Sequence, residues 1–322
     1  MPEQAPLARL GFGCSVLGGD LSEPAQRALV DAALDAGIRH FDVAPSYGHG
    51  QAERVLGLAL APVRREVTIA SKAGIAHPAA VGPLGLARRW LRPLKQFAPA
   101  LWQAGAVRAR QATAQRGQFA PEQVLATVQE SLRRLQTDRL DHLLLHEVAP
   151  EDLTPQMLSA LRKLQAQGPV GALGLGTTVE HSVTILGEQP GVFARVQTSH
   201  YWGAFTPALL SGSAQLLTHR CLRAGLSLVQ APGLRAAAQT LPGGSGLVRL
   251  LARPDALPEL LVTAGLRASA TGVLLLSSSN PQRVRDFARW VEAPRFLPEA
   301  DLLNQLLQGQ AATGVTAPSQ DG

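Results

Sequence analysis

Cysteine is nearly absent from this chain: Cys14 and Cys221 are the only two in 322 residues. They lie too far apart to suggest a disulfide framework or a metal motif. One sits in the apolar run GFGCSVL and the other in a helical stretch, so both read as inert core thiols, consistent with a reducing cytoplasm. The first residues, MPEQAPLARL, lack the basic start and long apolar run of a signal peptide. No stretch approaches the roughly 18 uninterrupted apolar residues of a spanning helix, and GVLLL at 272–276 is far too short. Acidic residues are missing from residues 73–120, where Arg88, Arg89, Arg92, Lys95, Arg108, Arg110 and Arg116 fall. Those seven charges compare with +6 for the whole chain, so the remainder is near −1. A near-neutral body with one cationic insertion argues against nucleic acid as a partner.

What the chain does contain is apolar: hydrophobic residues make up 46% of it, enough for a substantial core. Strand-like apolar runs alternate with amphipathic stretches, the pattern of repeated βα units. Strands are expected at 10–15, 38–43, 67–71, 140–145, 170–175, 192–197, 226–230 and 272–276. Helices are expected between them, among them 23–36, 51–60, 121–135 and 155–166. Eight such strands close naturally into an α/β fold, the (β/α)8 TIM barrel, as a single domain over residues 7–309. Residues 297–307 read as an appended helix and 310–322 as a disordered tail.

Four residues stand at or just beyond the ends of expected strands: Asp42, Tyr47, Lys72 and His146. In a closed parallel barrel these ends share one face, so residues distant in sequence can meet there. A tyrosine phenol beside a lysine ammonium is a usable acid, because the positive charge favours phenolate and lowers the pKa. Taken singly, each residue has a bland reading as a cap, turn, surface or core residue.

The string HFDVAPSYGHGQAERVLGLAL resembles the aldo-keto reductase signature. The match continues through Ser71-Lys72, SLRRLQTDRLDHLLLH ending at His146, GALGLG at 171–176, Gln197 and SSNPQRVRDF. The resemblance implies that Tyr47 donates a proton to a substrate carbonyl, that Lys72 depresses its pKa, that Asp42 holds Lys72 in an ion pair and that His146 orients the carbonyl. It implies NADPH or NADP as cofactor, NAD being open, and an aldehyde, ketone or sugar as substrate. Thr177 and Gln197 match positions that hold the nicotinamide amide; Ser278 and Arg283 match positions that grip an adenosine 2′-phosphate. Four positions depart from the family pattern, the first being Ser277, which replaces a lysine before Ser278. Thr178 replaces an amide-bearing asparagine, Gln230 the aromatic that stacks on the nicotinamide, and Phe287 an adenine-contacting asparagine. Tyr201 and Trp202 read equally as substitute stacking residues, substrate-pocket residues or packing residues. These departures motivate a second reading, a nucleotide-binding regulatory protein with little turnover.

The insertion at 73–120 is too long for an ordinary βα loop and follows Lys72 directly. Three readings stand for it: a lid whose aromatics face substrate, a surface amphipathic helix, or a solvated excursion packed on the barrel.

Overall fold

In a computed structural model, the described residues are 6–18, 21–75, 117–200, 202, 214–231, 233–268 and 271–312. Eight parallel strands close into a barrel in sequence order: β1 (Leu10–Gly13), β2 (His40–Asp42), β3 (Thr68–Ala73), β4 (Leu140–His146), β5 (Val170–Gly176), β6 (Arg195–Ser199), β7 (Gln215–His219) and β8 (Val273–Leu276). β8 returns to β1 with Gly11 opposite Leu275. Successive side chains on a strand point to opposite faces. Phe12, Phe41, Ile69, Leu143, Leu145, Leu173, Leu175 and Val196 are therefore sealed between the strands and the helices, none more than 1% exposed.

The helices start and stop where local chemistry directs. In α1 (Glu23–Asp35), the Ser22 side chain accepts from the Ala25 N–H, and proline occupies the first turn. The helix ends at Gly37, at φ 81°, where the Gly37 and Ile38 amides bond back to Leu34 and Ala33. That paired arrangement needs a left-handed residue, which glycine supplies without strain. The chain then passes directly into β2. Further helices are α2 (Gln51–Leu60), α3 (Pro121–Leu135), α4 (Pro155–Ala166), α5 (Val179–Glu188), α6 (Cys221–Val229), α7 (Leu234–Thr240), α8 (Gly244–Leu251), α9 (Leu257–Arg267), α10 (Pro281–Glu292) and α11 (Leu297–Ala312).

Strand seven differs from the sequence reading. Residues 226–230 do not form it; they belong to α6 and its cap, and β7 lies earlier, at Gln215–His219. The LSLV run resembles a strand, but burial at Cys221, Gly225 and Val229 recurs every fourth residue, a helical stripe. Gln215–His219 instead alternates as an inner strand pairs, with Val196 opposite Leu216 and Leu217 opposite Val273.

The appended helix is present and longer than expected, so residues 310–312 are helical rather than part of a disordered tail. It lies on α9, where Ala300, Leu303, Leu306 and Leu307 are buried and Asn304 Nδ2 donates to the Ala264 carbonyl at 2.9 Å. Residues 313–322 lie outside the described residues, as does most of the basic insertion, with Trp90, Phe97 and Trp102. Its two ends are placed: the Gln118 amide donates to the Gly74 carbonyl at 3.0 Å, so the insertion leaves and returns at the carboxyl end of β3. No helix among the described residues is long and apolar enough to cross a membrane.

Candidate active site

The barrel brings the strand ends together as the sequence requires. Asp42 closes β2, Lys72 is the fifth residue of β3 and His146 closes β4. Lys72 Nζ lies 2.6 Å from Asp42 Oδ1 and also donates to the Val43 carbonyl at 3.2 Å. At 2% and 4% exposure, the two charges are withdrawn from water. Such a pair survives burial only when hydrogen bonds complete it, and Asp42 Oδ2 receives one from Gln197 Nε2 at 2.8 Å.

Tyr47 reaches the pair from the short 3₁₀ helix Tyr47–Gly50, which links β2 to α2. Its ring centroid is 5.2 Å from Lys72 Nζ. The loop is set tightly: a Cβ on Gly48 would fall 2.3 Å from the Gly18 backbone, and Gly48 has φ 56°. Behind β3, Ser71 Oγ donates to the fully buried Glu53 at 2.9 Å, tying Lys72's neighbour to the first turn of α2.

The electrostatics correct one expectation. Burial pushes the Tyr47 phenol above its ordinary value, and the charge and hydrogen bond of Lys72 offset this only in part. Tyr47 is thus a protonated acid at neutral pH, and Lys72 limits the rise rather than reversing it. For Lys72 itself, burial alone would lower the pKa. The charges and hydrogen bonds of Asp42 and Tyr47 outweigh that and hold it above the lysine value.

His146 stands opposite Gly176 of β5, and its register places it two residues beyond Leu144, the partner of Lys72. His219, at the carboxyl end of β7, is a residue that placing strand seven at 226–230 does not bring to the site. Burial holds its imidazole neutral, with a pKa of about 4, and Asp42 and Lys72 act on it with opposite signs. Cys14, after β1, is fully buried, and burial raises its thiol well above the usual range, as an inert core thiol requires.

The cofactor-side residues divide. Gly176 sits beside Gln197: a Cβ built there would make ordinary contact, 3.7 Å from Gln197 Oε1. Thr177 Oγ1 donates to the Val148 carbonyl at 2.8 Å and lies 3.5 Å from His181 Nδ1. Thr178 caps α5 by accepting from the His181 amide, a role its hydroxyl fills and an asparagine there would also fill. Ser278 Oγ accepts from the Asn280 amide at 3.1 Å, shaping the turn before α10. Arg283 lies against the Trp290 ring at 5.7 Å, two turns down the helix from the end that would face a phosphate.

Two of the departures from the family pattern, and one alternative stacking residue, are re-read by the structure. Phe287 is 1% exposed and packs on Trp290, so it fills the core and does not face an adenine. Gln230 is the exposed cap of α6, not a residue at the end of β7. Trp202 is buried, edge-on to His200, with its indole N–H on the Cys221 carbonyl, which makes it a packing residue. Tyr201 lies outside the described residues.

A model of the Aldo/keto reductase family matches residues 9–201. The chain belongs to that family. It is 33% identical over 183 residues to D-threo-aldose 1-dehydrogenase from a Pseudomonas species, covering 54% of this chain and 51% of that one. It is 45% identical over 69 residues to pyridoxal 4-dehydrogenase from Microbacterium luteolum, 20% of each chain. The match to D-threo-aldose 1-dehydrogenase thus spans about half of that relative's length. Among solved structures, an aldo-keto reductase from Bacillus halodurans in its holo form superposes with a TM-score of 0.68 at 20% identity, over 92% of this chain and 91% of that one. An aldo-keto reductase from Klebsiella pneumoniae in complex with NADPH superposes at 0.62, also at 20% identity, over 93% and 91%. Identities this low establish the shared barrel fold.

Proposed function

We propose that this aldo-keto reductase family oxidoreductase interconverts a carbonyl (an aldehyde, ketone or sugar) and its alcohol, using NADPH or NADP, with Tyr47 as the acid. The observation that carries this reading is the buried chain Gln197–Asp42–Lys72–Tyr47, which ends at a protonated phenol on the open face of the barrel. A bound reduced nicotinamide would supply hydride to the carbonyl carbon. Tyr47 would pass its proton to the carbonyl oxygen as negative charge develops there. Lys72, held protonated by Asp42, would stabilise the phenolate left behind. His146, at the adjoining strand end, would orient the same oxygen. In the oxidative direction Tyr47 would take the proton back.

Gln197 Oε1 and Thr177 would receive the carboxamide of the nicotinamide. Ser278, before the start of α10, would receive a phosphate, with Arg283 swinging off Trp290 to reach it. The whole chain from 7 to 309 would act as one catalytic unit, with the insertion at 73–120 bordering the substrate at the end of β3. A small-molecule substrate and a cytoplasmic setting complete the reading. Sugar and pyridoxal dehydrogenases among the relatives make polyhydroxylated aldehydes and their hemiacetals the first substrates to try.

The second reading, a nucleotide-binding regulator with little turnover, draws on Arg283 lying on Trp290 and Phe287 lying in the core. A fluorescence titration with NADPH, followed by a carbonyl-panel assay, separates the two. Saturable binding with turnover sustains the enzyme; saturable binding with no turnover of any panel member sustains the regulator; no binding sinks both.

A further inference from the structure

Ser71 and Lys72 are neighbours on β3, and alternation along a strand sends their side chains to opposite faces. Lys72 turns to Asp42 and the site. Ser71 turns outward to the helices, where Glu53 of α2 accepts a hydrogen bond from its hydroxyl at 2.9 Å. Both residues are 0% exposed. Tyr47 stands six residues before Glu53, and the 3₁₀ helix Tyr47–Gly50 runs directly into α2 at Gln51. One hydrogen bond thus joins the element that carries the phenol to the strand that carries the ammonium.

A carboxyl is a costly group to place there. The other buried residues of α2 are Ala52, Val55, Leu56, Gly57, Ala59 and Leu60, all apolar. Packing alone is served at lower cost by leucine, because a carboxyl taken out of water needs hydrogen bonds to hold it. Apolar contact is also non-directional. It presses α2 against α3, where a Cβ on Gly57 would fall 2.5 Å from the Leu135 backbone, but does not set where the helix stops along its own axis. A hydrogen bond of fixed length does. The segment from Tyr47 to Glu53 is therefore held at two points: Gly48 against the Gly18 backbone near its start, and Glu53 on Ser71 at its end.

We propose that Glu53 is a positioning residue for the acid: through Ser71 it fixes the separation of the Tyr47 phenol from the Lys72 ammonium. The proposal rests on the reading of Tyr47 as the proton donor. Glu53, sealed on the helix side of β3, acts only through Ser71. Lys72 is pinned by Asp42 Oδ1 and the Val43 carbonyl, so a slip of α2 is taken up by Tyr47. The attraction of an ammonium for phenolate falls with distance, and the ring centroid now lies 5.2 Å from Nζ. Burial raises the phenol, Lys72 opposes it, and Asp42 and Cys14 are the other ionisable groups that act on it, both raising it. A longer separation leaves burial less opposed.

The chain holds two tyrosines, so full-length protein labelled with carbon-13 at the phenol carbon gives two NMR resonances, assigned by Tyr47→Phe. Their pH titration needs neither cofactor nor turnover. Glu53→Leu and Ser71→Ala should each shift the Tyr47 resonance and raise the pH at which it ionises, with Tyr201 as the internal reference. Glu53→Gln keeps an oxygen for the Ser71 hydroxyl and should restore the native titration. With NADPH and a carbonyl substrate, Glu53→Leu should lower kcat by up to about a hundredfold, the scale of an ångström's misplacement, and leave NADPH affinity nearly unchanged. Should Glu53→Leu fail to fold, Ser71→Ala breaks the same bond by removing one hydroxyl. A Tyr47 titration that is unchanged or moves to lower pH in these variants overturns the proposal, as does Glu53→Gln behaving like Glu53→Leu. If the titration moves as expected and no carbonyl is turned over, Glu53 still sets the separation, and it is the proposed function that fails.

Discussion

Gln197 on β6 donates to Asp42 on β2 at 2.8 Å, joining residues 155 positions apart across the barrel. Both oxygens of Asp42 are thereby occupied, one by Lys72 and one by an amide that the proposed cofactor also needs. Its nitrogen is committed to Asp42, and its oxygen, which lies near Gly176, is the atom the proposed cofactor would use.

Gln197→Leu should therefore weaken NADPH binding and loosen the Asp42–Lys72 pair together. Losing the hydrogen bond to charged Asp42 should cost about 1.5–3 kcal/mol of stability, while losing the neutral carboxamide contact, worth about 0.5–1.5 kcal/mol, should lower cofactor affinity by up to about tenfold. Gln197→Glu should be worse for stability, since it sets a second carboxyl against Asp42. Fluorescence titration and thermal midpoints read the two effects separately.

Tyr47→Phe should lower turnover by roughly 10²–10⁴, the range for a general acid, and leave NADPH affinity nearly unchanged. Comparable losses in both quantities would mean that the hydroxyl serves cofactor binding rather than proton transfer.

Lys72→Met should destabilise the fold by about 3–5 kcal/mol, because Asp42 is then a buried charge with no ammonium partner. Asp42→Leu combined with Lys72→Met should recover much of that stability while remaining inactive. Denaturant melts of the single and double variants give the comparison. The Lys72 pKa is raised in the fold, so its contribution is complete below the ordinary lysine value of 10.5 and is lost as pH climbs through the folded value.

The acid side is governed by histidines. Burial lowers His40, His142, His200 and His219 to about 4. Between about 6.5 and 4 the unfolded chain takes up protons that the folded chain refuses, so stability falls as pH drops through that window. Each such proton adds a slope of about 1.4 kcal/mol per pH unit. Thermal midpoints from pH 7 to 4 should show it, and His200→Gln should remove one proton's share.

Gly48→Ala should displace Tyr47 without touching its chemistry. The added Cβ meets the Gly18 backbone at 2.3 Å and sits at positive φ, so the short helix must shift. Turnover should fall with a stability loss of about 1–3 kcal/mol, measurable by assay and melt.

Much of this was legible in the sequence, because βα alternation fixes which residues sit at strand ends. Asp42, Lys72 and His146 needed only the strand boundaries and barrel closure. Strand seven was not legible: LSLV and QLLTH are both short apolar runs, and only helical packing of Cys221, Gly225 and Val229 separates them. Phe287 looked like a lost adenine contact until its burial showed a core residue. The Tyr47 shift depends on how much burial opposes Lys72, a balance of packing that motif spacing does not carry. Ser71 was readable by strand parity as facing away from Lys72's side of β3, but its bond to Glu53 emerges only in three dimensions.

The central claim is that Tyr47 completes hydride transfer from a nicotinamide to a carbonyl. Its most direct test follows reduced-nicotinamide absorbance while native chain and Tyr47→Phe turn over a panel of aldehydes, ketones and aldoses with NADPH. The account predicts carbonyl-dependent NADPH consumption by the native chain, with loss of most of it in Tyr47→Phe at saturating cofactor. Saturable NADPH binding with no consumption across the panel, or equal rates in both proteins, would contradict it.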